Sequence, residues 1–219
     1  MIARHLFLLL MPLVLGGCGP KAALLSALIP DGTTATVLGN LQRVEDQNRR
    51  RVLDLEAAKK WDELARFAEE NIAKDRQNSE WWFVLGYARG QLKQHDAAAE
   101  AFASAVRFEP DNMSAWNSLG QSYRAAGDPR RAINVLNSAL NVSRDSPVTL
   151  YLLGESYGDV QRHRDAAAAY REAVGLAPNF AAAWFSLART YNELGRREDA
   201  DAARARLEKL DPKLAAELK

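Results

Sequence analysis

Few residues in this chain are equipped for chemistry. Among 219 residues there is one cysteine, Cys18, and three histidines, His5, His95 and His163. A single thiol excludes an internal disulfide and any zinc site built from cysteines. His95 and His163 are the candidates for general acid–base work, because an imidazole titrates near neutral pH. They are 68 residues apart, and nothing near either supplies a partner at catalytic or metal-ligand spacing. The chain shows no Gly-rich phosphate loop, nucleophile elbow or metal-spaced cluster. Its many Asp and Glu residues are interleaved with Lys and Arg, the pattern of a solvated helix face rather than of paired catalytic carboxylates. The formal net charge is +1, from 29 basic and 28 acidic residues, which lacks the positive excess on which nucleic-acid binding rests. The sequence therefore predicts no catalytic residue, metal, cofactor, small-molecule substrate or nucleic-acid partner.

Cys18 stands apart because of what precedes it. Arg4 and His5 lead into an apolar run over residues 6–15, followed by Gly16, Gly17 and Cys18. A short positive region, an apolar core and small residues before a cleavage point make a secretory signal peptide. The apolar run is well short of the roughly 20 residues needed to span a bilayer. The tetrad Leu15-Gly16-Gly17-Cys18 resembles the lipobox of bacterial lipoproteins. The resemblance implies removal of residues 1–17 and lipidation of Cys18 as the new first residue. Cleavage removes Arg4 and no acidic residue, which leaves a neutral body with little attraction for anionic lipid. Attachment then rests on acyl chains, at about 0.8 kcal/mol per buried CH₂; lipoproteins of this type carry three. Gly19 is not the Asp that retains enterobacterial lipoproteins at the inner membrane, which implies the periplasmic face of the outer membrane.

The elements that position the remaining residues follow from a 34-residue period. One column holds Trp82, Trp116, Leu150 and Trp184. The next columns hold Leu85, Leu119, Leu153 and Leu187, then Gly86, Gly120, Gly154 and Ala188. Later come Ala98, Ala132, Ala166 and Ala200, then Phe102, Leu136, Tyr170 and Arg204, and finally Pro110, Arg144, Pro178 and Pro212. This pattern resembles the tetratricopeptide repeat. The resemblance implies an all-α, right-handed superhelix, or α-solenoid, of antiparallel helix pairs. Small residues at the Gly and Ala columns let paired helices approach, while the large columns fill the space between them. Gly127 and Gly195 fall at the turn within a pair, where left-handed backbone is inexpensive for glycine. His95 and His163 share the position two residues after that column of Gly127 and Gly195, shifted by whole repeats, which marks them as structural residues of the pair.

The expected organisation is a leader (1–17), a lipidated Cys18 with its tether (18–44), a degenerate capping repeat (45–78), four full repeats (79–112, 113–146, 147–180 and 181–214) and a C-terminal stub (215–219). In the degenerate row Asn48 and Arg51 replace the Trp and Leu, while Val52 and Leu55 are kept. Arg49, Arg50 and Arg51 have acidic neighbours at helical spacing and are expected on a salt-bridged, solvated face. In the tether, Leu24, Leu25, Leu28 and Ile29 suit either the membrane surface or the first helices.

A stack of this kind presents a concave groove lined by the first helix of each repeat. The resemblance places Phe83, Asn117, Tyr151 and Phe185 on it, with Tyr87, Gln121, Glu155 and Arg189 one turn on, then Gly90, Arg124, Gly158 and Asn192. Three aromatics in one column, free of the repeat core, are expected to anchor a segment of a partner protein. The family's carboxylate clamp uses Lys and Asn at set groove columns, and the lysines are absent here. The predicted function is a lipid-anchored periplasmic adaptor or scaffold. Similar small repeat lipoproteins help assemble pilus and secretion channels; others position cell-wall hydrolases. A chaperone for outer-membrane proteins is a further alternative, and a cell-wall enzyme is not favoured.

Overall fold

The computed structural model describes residues 46–218. The leader, Cys18 and the tether lie outside the described residues. Those described form helices α1 (Asp46–Ala57), α2 (Trp61–Lys74), α3 (Ser79–Gln91), α4 (His95–Phe108), α5 (Met113–Ala125), α6 (Pro129–Val142), α7 (Pro147–Asp159), α8 (His163–Leu176), α9 (Ala181–Glu193), α10 (Arg197–Leu210) and α11 (Pro212–Ala215). Successive helices pack as antiparallel hairpins, α3 on α4, α5 on α6, α7 on α8 and α9 on α10. Each pair also packs on the next.

The turn inside each pair is the same device five times. Lys59, Lys93, Gly127, Gln161 and Gly195 have φ of 54°, 60°, 84°, 59° and 71°. After each, the chain donates back across the helix end: Gln94 N to Arg89 O, Asp128 N to Tyr123 O, Arg162 N to Tyr157 O and Arg196 N to Tyr191 O, at 2.8–2.9 Å. This bond closes the Schellman motif and requires left-handed backbone at the residue before it. Lys59 obeys the same rule, with Lys60 N bonded to Leu55 O at 2.8 Å, so α1 and α2 are joined in register with the full repeats. Two rows meet the requirement with glycine and three with Lys or Gln, at a local cost of about 1–2 kcal/mol each. His95 and His163 are the first residues of α4 and α8.

Three first helices, α3, α5 and α7, start on side-chain caps. Asn78, Asn112 and Ser146 accept from Glu80 N, Ala115 N and Thr149 N, respectively. The tryptophan column then ties the preceding loop to the helix. The indole N–H of Trp82, Trp116 and Trp184 donates to Arg76 O, Pro110 O and Pro178 O at 2.8–2.9 Å. The Trp and Pro columns are therefore two ends of one hydrogen bond. Leu150, without an indole, leaves that bond unmade beside Arg144.

The glycine column sets the spacing of the helices. A Cβ at Gly86 would lie 2.8 Å from the Phe102 ring, one at Gly120 2.7 Å from Leu136, and one at Gly154 2.5 Å from the Tyr170 ring. Phe102, Leu136 and Tyr170 are buried, so each of these three pairs closes by resting a large side chain of its second helix on bare backbone of its first. At the C-terminal end, α11 caps the last pair, burying Ala215 and Leu218 in the same core as Leu207. First helices also touch one another across repeats, α5 on α7 and α7 on α9, which puts them on the inner face.

Candidate functional site

The inner face does not present the residues uniformly. Phe83, Tyr151 and Phe185 are only 1%, 3% and 7% exposed, which corrects the expectation that they stand free of the repeat core. Phe83 meets Phe102 edge-on at 5.3 Å between ring centroids. Tyr151 is wedged between Tyr170 at 5.7 Å and Phe180 at 5.3 Å. At Phe83 and Tyr151 the ring turns toward the second helix of its own pair, against Phe102 of α4 and Tyr170 of α8. A ring at that column fills the seam between helices and does not project into the groove as an anchor.

One turn on, the side chains are half-buried, and Tyr87 and Glu155 are hydrogen-bonded. Tyr87 donates its hydroxyl to Glu56 Oε1 at 3.0 Å and meets Trp61 edge-on at 5.8 Å. Burial pushes the Glu56 carboxyl above its ordinary value, and the Tyr87 bond offsets this only in part. Asn117 Oδ1 accepts from the buried Thr149 hydroxyl at 2.8 Å. Glu155 is the hub of the face. Its Oε1 accepts from Tyr170 at 2.5 Å and from Ser186 at 3.0 Å, and its Oε2 lies 3.4 Å from Arg124 Nη2. Burial, then the Glu155 charge, hold the Tyr151 and Tyr170 hydroxyls well above the ordinary tyrosine range, so both stay neutral donors or acceptors.

Arg124 is doubly compensated, with Nε bonded to Asp159 Oδ2 at 2.7 Å and Nη2 beside Glu155. Burial disfavours its charge, but the Asp159 bond and the Glu155 field outweigh that and raise its pKa. Arg189 is 42% exposed, with both contacts long, 3.9 Å to Glu155 and 3.9 Å to Glu193. Asn192 is exposed beside it. His163 Nδ1 lies 2.9 Å from Glu193 Oε2.

A cavity of about 440 Å³ opens on this face between α3, α4 and α5, with Asp159 of α7 at its edge. It brings together Phe83, Tyr87, Gly90, Gln121 and Arg124 of the predicted set, but not Asn117, Tyr151, Glu155, Gly158, Phe185, Arg189 or Asn192. Sequence reasoning missed its other contributors: Phe102 and Gly86 in the floor, Ser118 and Ser122 on α5, and His95 at the start of α4. One signal was present in the sequence. Gly90 lies inside α3, where glycine costs about 1 kcal/mol relative to alanine. No close packing requires it, since a Cβ there would meet only Ala98 Cβ at 4.0 Å. Its bare backbone keeps the cavity open.

Among the described residues no group of three or more His, Cys, Asp or Glu side chains is placed to hold a metal ion. No described helix is long and apolar enough to cross a membrane.

Comparison with known proteins agrees on the repeat. Residues 91–173 match the family described as anaphase-promoting complex, cyclosome, subunit 3, and residues 151–215 match the tetratricopeptide repeat. Tetratricopeptide repeat protein 37 of Xenopus laevis is 32% identical over 65 residues, 30% of this chain and 4% of that protein. Superkiller complex protein 3 of Homo sapiens is 29% identical over 65 residues, with the same coverage. The chain thus spans about 4% of the length of these curated relatives. Among solved structures, MamA superposes with a TM-score of 0.68 at 21% identity, covering 75% of this chain and 96% of that one. YrrB, described as a TPR protein with an unusual peptide-binding site, superposes with a TM-score of 0.62 at 15% identity, covering 84% and 97%. The chain carries tetratricopeptide repeats, and at these identities the structural likeness is one of fold.

Proposed function

We propose that this protein is a lipid-anchored adaptor of the bacterial cell envelope that holds a segment of a partner protein against the inner face of its repeat stack. The observation that carries the reading is the 440 Å³ cavity on that face. It has an apolar floor and charged groups already paired with one another, as expected of a surface that recognises a protein segment rather than turning over a substrate. The peptide-binding site ascribed to YrrB lends support from a protein of the same fold. Arg189 and Asn192, exposed along the same face, are the polar contacts for the rest of the segment.

The anchor rests on Cys18 and the lipobox-like Leu15-Gly16-Gly17 before it. Acyl chains there would tether a neutral body to the outer membrane, facing the periplasm, and the tether of residues 18–44 would give the stack its reach. Assembly of a pilus or secretion channel is the role that fits a small repeat lipoprotein of this plan.

The test is in-cell crosslinking followed by purification from envelope membranes, comparing the native chain with Arg189→Ala/Asn192→Ala and with Cys18→Ser. The groove reading expects one dominant crosslinked protein that the double variant loses by tenfold or more. Undiminished crosslinking by the double variant moves the site elsewhere on the stack. The anchor reading expects Cys18→Ser to leave the membrane fraction and to lose incorporation of radiolabelled palmitate; unchanged fractionation and labelling would reject it.

A further inference from the structure

We infer that the cavity between α3 and α5 is a socket for one uncharged aromatic side chain with a polar edge, tryptophan or tyrosine, carried by the bound segment. The inference rests on the groove reading above and specifies its chemistry. Three features of the walls select this occupant. Phe83 and Phe102 already meet edge-on at 5.3 Å, and both line the cavity with Tyr87; a further ring extends such edge-to-face packing. Width comes from side chains that are absent or short, Gly86, Gly90, Ser118 and Ala125. At Gly90 that width is kept although neither turn geometry nor close packing calls for glycine.

Charge decides the rest. The one arginine of the wall, Arg124, is bonded to Asp159 at 2.7 Å and lies 3.4 Å from Glu155. A carboxylate entering here would have to displace two existing partners, and a basic group would meet a paired acid. Gln91 and Gln121 instead offer neutral donors and acceptors around an apolar floor. They suit an indole N–H or a phenol hydroxyl, which a purely aliphatic side chain would leave unpartnered.

The experiment titrates the purified chain with N-acetyltryptophanamide, N-acetyltyrosinamide, N-acetylleucinamide and N-acetylargininamide, followed by amide chemical shifts. The two aromatic amides are expected to shift Gln91, Ser118 and Gln121 saturably, with leucine and arginine amides at least tenfold weaker. Gly90→Leu, which fills the cavity with a strong helix former, should weaken the aromatic amides at least tenfold. Ser118→Leu fills the cavity from α5 and serves if the first variant does not fold. Equal binding of leucine or arginine amide, no shift at those three residues, or full binding by a folded cavity-filled variant overturns the inference. If the aromatic amides fail while Arg189→Ala/Asn192→Ala still abolishes the crosslink, the socket is wrong and the groove stands; if the crosslink also persists, the groove reading falls with it.

Discussion

Gly154 of α7 lies under the ring of Tyr170 of α8, so that a Cβ at Gly154 would stand 2.5 Å from the ring. Tyr170 is 1% exposed, and its hydroxyl is bonded to Glu155 at 2.5 Å. The ring is thus fixed at both ends, by bare backbone below and by a carboxylate of the same inner-face cluster above. The helix spacing of that repeat and the polar network of the groove are set by one contact.

Gly154→Ala should therefore destabilise the protein although alanine is the better helix former. Overpacking costs roughly 1–3 kcal/mol, and the propensity gain returns only about 1 kcal/mol. Gly158→Ala, four residues on in the same helix with nothing within 4 Å of its Cβ, should be neutral or stabilising. Urea unfolding of the two variants checks this; a Gly154→Ala midpoint at or above that of Gly158→Ala would show that Tyr170 yields freely.

Phe83→Ala should cost about 3–5 kcal/mol, as expected for a buried aromatic truncated to a cavity. Tyr151→Ala should cost as much, since its ring is held between Tyr170 and Phe180. Loss of partner binding by Tyr151→Ala would then report unfolding rather than a lost anchor, whereas Phe83→Ala would also reshape the cavity that Phe83 lines. The check is the thermal midpoint by circular dichroism, and a shift of under about 1 °C would return these rings to the groove.

Trp116→Phe should lose the bond from the indole N–H to Pro110 O at 2.8 Å and cost about 0.5–1.5 kcal/mol. The reverse change, Leu150→Trp, should gain a comparable amount, because Arg144 stands in the column of Arg76, whose carbonyl accepts from Trp82 at 2.8 Å without a proline. Guanidinium titration of both separates the bond from ring packing. A Trp116→Phe variant as stable as the native chain would mean that the bond is matched by water in the unfolded state.

The fold was legible because the columns of the repeat are local physical demands repeated in series. Gly86, Gly120 and Gly154 announce close helix approach, and Gly127 and Gly195 announce a left-handed turn. Lys59, Lys93 and Gln161 adopt the same turn without announcing it, because the Schellman bond fixes the backbone whichever residue is present. The site was legible only in part. A groove column can be read from period, but burial there depends on which way the side chain turns against the second helix of its pair, which the period does not encode. That is why Phe83, Tyr151 and Phe185 were assigned to the groove and belong to the core. The cavity was hidden for the opposite reason, since its width comes from missing side chains, and Gly90 alone hinted at it.

Glu56 supplies the pH dependence. It is buried at the junction of α1 with α3, and burial raises its pKa above 4.5 despite the Tyr87 bond. In the unfolded chain it titrates near 4.5, so between that pH and its raised folded value the native state binds more protons than the unfolded one. Stability contributed by this group is therefore present at low pH and is lost as pH rises through that window. Glu56→Gln removes the charge while keeping an oxygen that can accept from Tyr87. The variant should be more stable than the native chain at pH 7.5 and indistinguishable from it below pH about 4.5, where Glu56 is protonated in both states. Unfolding midpoints of the two proteins at pH 4 and 7.5 decide the matter. A variant less stable at pH 7.5 would show that the ionised carboxylate is held by more than the Tyr87 hydroxyl, and that the first helix pair depends on its charge.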